Sequence, residues 1–181
     1  MRRRHADQGF TLVELMLAAL MGCLLCGVAL QLFFAETRQG GWLAESLQLK
    51  QWQWRTLELV KGDLERASSW QVDPAPSGSW PCALAGRRPQ LAITPRDGSN
   101  PVVYSLGPAP SPIWRGAVLM RCGPAFDLQG RIRAGSRYQN RVVLDAVERF
   151  QLHQPSGLQV LQMQLEQRTR LGGRVRSQGV G

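Results

Sequence analysis

Four cysteines, two histidines and one isolated carboxylate are the residues of this 181-residue chain whose types and spacing bear on chemistry. Cys23 and Cys26 have the C-x-x-C spacing of a redox pair, but they stand in an uncharged run, LMLAALMGCLLCGVAL, from Leu15 to Leu30. Thiol exchange needs an exposed thiol of low pKa, and apolar surroundings raise that pKa. Both are read as small packing residues. His5 and His153 do not make a metal set, and no nucleophile elbow, phosphate loop or metal-ligand spacing is present. The sequence offers no catalytic residue, metal site or cofactor motif, and it points away from an enzyme. Glu14 is different. It is the one ionisable residue between Phe10 and Ala35. A carboxylate in hydrocarbon costs ~2.5–3.5 kcal/mol even on a lenient insertion scale. Such a charge needs a partner, and the sequence offers none nearby within the helix.

The element that positions Glu14 is an apolar helix. Residues 10–35 would span roughly 39 Å as a helix, enough to cross a bilayer. Arg2, Arg3 and Arg4 precede them, and a basic flank of this kind keeps the N-terminus in the cytoplasm. The run is too long for an ordinary secretory signal, and no A-x-A cleavage site follows it. A plain signal anchor fits the length but leaves Glu14 unexplained.

Gly9-Phe10-Thr11-Leu12-Val13-Glu14-Leu15, with the basic leader before it and the apolar run after it, resembles the class III signal of type IV prepilins and pseudopilins. The resemblance implies cleavage by a prepilin peptidase between Gly9 and Phe10, N-methylation of Phe10, and filament assembly through Glu14. The amine created at Phe10 of one subunit would pair with the Glu14 carboxylate of a neighbour, because an ion left unpaired after desolvation is costly. It also implies an α+β type IV pilin fold, in which a long N-terminal helix packs on a small antiparallel β-sheet head. The expected divisions are 1–9 leader, 10–35 transmembrane and assembly half of the helix, 36–70 amphipathic half, 71–166 sheet head and 167–181 basic flexible tail.

Along the second half of the helix, Leu43, Leu47, Trp54, Leu57 and Leu64 recur on one face. Glu58, Asp63, Lys50, Arg55, Lys61 and Arg66 are assigned to the remaining surface. Gly40-Gly41 is a weak point in the helix. Trp42 suits a membrane interface, and Trp54 is expected to pack on the head. Beyond residue 71, strands are expected at 90–94, 102–106, 113–121, 142–153 and 158–166. Turns are expected at Asp97-Gly98-Ser99-Asn100 and Pro155-Ser156-Gly157. A long helix followed by a run of strands is an α+β arrangement.

Cys82 and Cys122 fall in the head, on the oxidising side of the membrane, where a disulfide is preferred over two free buried thiols. Val142–His153 and the strand after it resemble the C-terminal part of minor pilins of the PilW type, and next to them pseudopilin J of type II secretion. Shaft-forming pilins usually carry a Pro at the mature position held here by Gln31, and no Pro lies between Phe10 and Ser69. A minor subunit that initiates or tips a type IV pilus fits this best, and a pseudopilus-tip subunit is the alternative. The implied partners are other pilins and minor pilins, the prepilin peptidase, the inner-membrane assembly platform and membrane lipid. The implied location is the inner membrane, as a single pass with a periplasmic head, and then the filament.

The net charge of +9 comes from 22 basic and 13 acidic residues. Arg168, Arg170, Arg174 and Arg176 lie in an acid-free tail and are candidates for contact with an anion, DNA included. No nucleic-acid fold motif accompanies them, so a solvated Arg-rich surface is preferred to a DNA-binding minor pilin.

Overall fold

The computed structural model describes residues 11–126, 132, 136–156, 158, 160–170 and 172–181; for residues 33, 35–40 and 42 only the backbone is described. Gly9 and Phe10 therefore lie outside the described residues, as does the side chain of Trp42. The chain is α+β and divides into two compact units, Met1–Ala44 and Glu45–Gly181.

One helix, α1 (Leu12–Glu65), runs through both units and is unbroken at Gly40-Gly41. In the first unit, Leu12–Leu32 has a mean hydropathy of 2.3 and is long and apolar enough to cross a membrane. Its side chains are all exposed, as expected of a surface suited to lipid rather than to a protein core.

In the second unit α1 has a narrow buried face made of Leu49, Gln53, Thr56, Leu57, Val60, Asp63 and Leu64. The spacings are helical, but the membership corrects the sequence reading. Leu47 and Trp54 are exposed, and Gln53 and Thr56 take the buried positions instead. The donor group of each is hydrogen-bonded. The Gln53 amide donates to the Val175 carbonyl at 2.9 Å. The Thr56 hydroxyl donates to the Trp52 carbonyl at 2.9 Å. The helix ends at Glu65, short of residue 70, because Ala67–Val72 forms a strand.

The head carries eight strands: β1 (Ala67–Val72), β2 (Arg88–Pro95), β3 (Val102–Pro108), β4 (Ala117–Pro124), β5 (Tyr138–Leu144), β6 (Val147–His153), β7 (Gln162–Arg168) and β8 (Arg174–Val180). β1 to β5 form an antiparallel meander in sequence order, and β6, β7 and β8 form a second antiparallel sheet. Leu57, Val60 and Leu64 of the helix share one core with Leu91, Ile93 and Tyr104 of the first sheet and with Phe150, Met163 and Leu165 of the second. Trp70 packs against this core from its edge.

Three expectations change here. Residues 142–153 are two strands, broken at Asp145-Ala146, where Ala146 has φ +50°. The Ala146 N–H donates to the Arg115 carbonyl, and the Arg115 N–H donates to the Asp145 carboxylate. These bonds turn the chain from one sheet to the other. Residues 113–116 precede β4 instead of belonging to it. The stretch expected to be a flexible tail continues β7 to Arg168 and then forms β8, paired with β7 from Gln162↔Val180 to Arg168↔Arg174.

Candidate functional site

The start of α1 holds the carboxylate singled out by sequence. Thr11 precedes the first helical residue, and its hydroxyl accepts the Glu14 N–H at 3.3 Å. In return Glu14 Oε2 accepts the Thr11 N–H at 3.1 Å and the Thr11 hydroxyl at 3.0 Å. This is a complete capping box, which satisfies backbone donors that the helix itself cannot pair. A carboxylate in the first turn also lies at the positive end of the helix dipole. The expectation of no nearby partner is therefore corrected. The T-x-x-E spacing was visible in the sequence as the signal of such a cap. The box leaves Glu14 solvent-exposed among exposed apolar side chains, at the head of the one described helix fit to cross a membrane.

The second carboxylate of interest, Asp63, was assigned to the surface and lies in the core. Asp63 and Arg121 side chains are 2% and 5% exposed. Arg121 Nε donates to Asp63 Oδ2 at 2.7 Å and its Nη2 to Oδ1 at 3.0 Å. The Tyr104 hydroxyl donates to Oδ2 at 2.7 Å, and Arg66 Nη2 to Oδ1 at 3.1 Å. Arg121 is further held by the Pro124 carbonyl at 3.1 Å and by the ring of Phe126, 4.7 Å from its guanidinium carbon. Gly123 makes the room: a Cβ there would stand 2.6 Å from Arg121 Nη1. Burial pulls the Arg121 guanidinium down, but the hydrogen bonds and charge of Asp63 outweigh it, so the net shift is upward. Burial first, and then Asp63, hold the Tyr104 phenol well above its ordinary value. Every strong donor around Asp63 comes from within the chain, so this network pins α1 to β3 and β4. A cavity of about 410 Å³ opens beside it, lined by Arg66, Ile93, Arg96 and Tyr138 among others.

Cys82 and Cys122 form a disulfide, which ties the segment between β1 and β2 to β4. Cys23 and Cys26 are free and exposed on α1. Among the described residues, no group of three or more His, Cys, Asp or Glu is placed to hold a metal ion.

The four tail arginines do not form an unopposed cluster. Arg168 and Arg174 both pair with Glu148, at 3.0 and 2.8 Å. Arg176 pairs with Glu166. The Arg170 backbone N–H donates to Glu45 at 2.9 Å. The acids missing from the tail sequence are supplied by β6, β7 and α1. Arg176 holds the Glu166 carboxyl below its ordinary value.

No family model, curated protein or solved structure matches this chain.

Proposed function

We propose that this chain is a minor pilin-like subunit. It is anchored by Leu12–Leu32, cleaved between Gly9 and Phe10, methylated at Phe10, and used to initiate or tip a type IV pilus. The observation that carries the reading is the placement of Gly9–Leu15. A basic leader precedes it, and the described helix that follows is long and apolar enough to cross a membrane. An α+β head with a disulfide agrees with an oxidising compartment beyond that membrane.

In this mechanism the capping box is the resting state of Glu14. Within the chain its hydrogen bonds go to Thr11, an exchangeable cap. A cationic amine on a neighbouring subunit is a better partner inside hydrocarbon, because pairing two ions relieves the desolvation of both. Assembly in register then exchanges a local cap for an intersubunit ion pair.

Intact-mass measurement of the membrane-bound protein tests the reading. The expected species begins at a methylated Phe10, and Gly9→Val leaves a precursor beginning at Met1. A wild-type chain that keeps Met1 reduces the protein to a simple signal anchor. Glu14→Val should insert and be cleaved yet be missing from sheared filaments. The alternative, a pseudopilus-tip subunit of type II secretion, rests on the likeness of Val142–His153 and the strand after it to pseudopilin J, and the absence of Pro between Phe10 and Ser69 fits both readings. Deleting the gene separates the two, since loss of pili with secretion intact supports the first and the reverse supports the second. DNA binding is the weaker reading, because three of the four candidate guanidinium groups are drawn onto Glu148 and Glu166.

A further inference from the structure

We infer that a groove in the head, between the β1–β2 segment and the start of the β3–β4 loop, receives an acidic side chain from an apolar stretch of another polypeptide. The Arg87 guanidinium holds its carboxylate. The inference stands on the head alone and is independent of the pilus reading.

The head buries two arginines on opposite terms. Arg121 is bonded twice to Asp63. Arg87 is 7% exposed and meets no carboxylate among the described residues. Its Nη2 donates to the Ala83 carbonyl at 3.3 Å, and its Nε is buried with no hydrogen-bond partner among them. Burial pulls the Arg87 guanidinium below its ordinary value, with no described charge to offset it. A buried cation without a counter-ion is costly, and a group so perturbed beside a groove points to a binding site.

The fold keeps Arg87 in this position. Its N–H donates to the Leu84 carbonyl at 3.1 Å, closing a tight turn whose central residues, Ala85 and Gly86, have φ +48° and +80°. Gly107 of β3 makes the room, because a Cβ there would stand 2.9 Å from the Arg87 Cα and 3.0 Å from its Cγ. The Cys82–Cys122 disulfide fastens the same segment to β4. The Asn140 amide fastens it to β5, donating to the Ala83 carbonyl at 3.0 Å.

The groove that Arg87 lines has a volume of about 570 Å³. Arg87 is the one charged residue among its described lining, and Pro81, Pro108, Pro110 and Met120 supply apolar wall. These walls select the occupant. Proline has no N–H to donate, and the Asn140 amide already donates to Ala83. A phosphate, with more than one negative charge and several acceptor oxygens, would be left short of donors. A carboxylate carries one charge and is matched by one guanidinium. It fills a small part of the groove, so the remainder calls for an apolar body. The groove lies open to solvent, whereas small-molecule sites enclose most of their ligand. An extended peptide with an acidic residue between apolar ones meets all of these conditions.

The test uses the full chain in detergent micelles with isotope-labelled arginine. Arg87→Lys identifies the Arg87 Nε–H cross-peak by its loss. The probes are acetyl-Val-Glu-Val-amide, acetyl-Val-Gln-Val-amide, acetate and inorganic phosphate. The Glu peptide should move the cross-peak saturably, and the Gln peptide should bind about tenfold more weakly or worse. Equal responses to the two peptides, or none, refute the site. A stronger response to phosphate refutes the carboxylate, and acetate as effective as the Glu peptide refutes the polypeptide occupant. Arg87→Met should lose the peptide response and keep or raise the head's denaturation midpoint, because an uncompensated buried charge is removed. A sharply lowered midpoint would mean that the guanidinium is satisfied within the chain, which overturns the inference.

Discussion

One helix carries two carboxylates with opposite fates. Glu14 is exposed and bonded to Thr11, three residues away. Asp63 is buried and receives hydrogen bonds from Arg66, Tyr104 and Arg121, the last two 41 and 58 positions distant in sequence. The same contrast separates the two units. The head pairs the Asp63 carboxylate and buries the apolar face of its helix within the chain. In the first unit the apolar side chains of Leu12–Leu32 are exposed. The difference teaches where function should be sought. A carboxylate saturated by its own chain is structural, and one held only by a helix cap is available to another molecule.

The sharpest way to break this contrast is to strip Asp63 of its role. Asp63→Ala leaves Arg121 buried without its counter-ion and should cost the head about 3–5 kcal/mol, read as a lower denaturation midpoint in detergent. Asp63→Leu combined with Arg121→Met should recover most of the loss, because an apolar pair has no charge to strand. Comparable loss in the double variant would mean that the network acts through more than the ion pair. Next in size is the disulfide. Cys82→Ser with Cys122→Ser opens a loop with a sequence separation of 40 and should cost about 3–4 kcal/mol. The first-unit helix should keep its hydrogen-exchange protection in micelles throughout.

Smaller effects probe the other side. Thr11→Val removes both bonds of the hydroxyl, leaves the backbone N–H bond to Glu14, and should cost the helix start about 1 kcal/mol. The signature is faster exchange at the Glu14 and Leu15 amides with no change in the head's midpoint. A shift in that midpoint would mean that the two units are not energetically separate. The smallest effect is set by pH. Arg176 lowers the Glu166 carboxyl below its ordinary value, so this pair stabilises the fold above the ordinary carboxylate range. That contribution is lost as pH falls from about 4.5 through the depressed value. Glu166→Gln should flatten the acid limb of the stability profile by lowering the neutral midpoint slightly, with the midpoint in acid unchanged.

The apolar span and the Cys82–Cys122 pair were legible in the sequence, the first as a local uncharged run and the second as the two cysteines outside that run. The sequence also located most strands of the first sheet by their β-type runs. Asp63 was misplaced because a lone Asp between Gly62 and Leu64 reads as solvent-facing, and the residues that make its burial tolerable lie far along the chain. Trp54 was misplaced for the converse reason. Its size argues for the core, yet the positions facing the sheets are held by Gln53 and Thr56, whose amide N–H and hydroxyl each donate to a backbone carbonyl. β8 was hidden by Gly172-Gly173 and four arginines, which read as mobile until Glu148 and Glu166 are seen opposite them. The break at Asp145-Ala146 depends on Arg115, thirty residues upstream.

The union of α1 with β8 has a kinetic consequence. Gln53 reaches the Val175 carbonyl across 122 residues, and Glu45 meets the Arg170 N–H across 125. The first element of the head in chain order is closed by the last. Contacts this distant are slow to form, because the chain must lose its loop entropy before they stabilise anything. Until β7 and β8 are in place, Leu57 and Val60 lack the part of their core that Met163 and Leu165 supply. The folding head therefore passes through an interval of exposed apolar surface, which ends only when its last strands dock. During refolding from denaturant, protease added early should cut a larger fraction of chains than protease added late, while the stability of finished molecules stays the same.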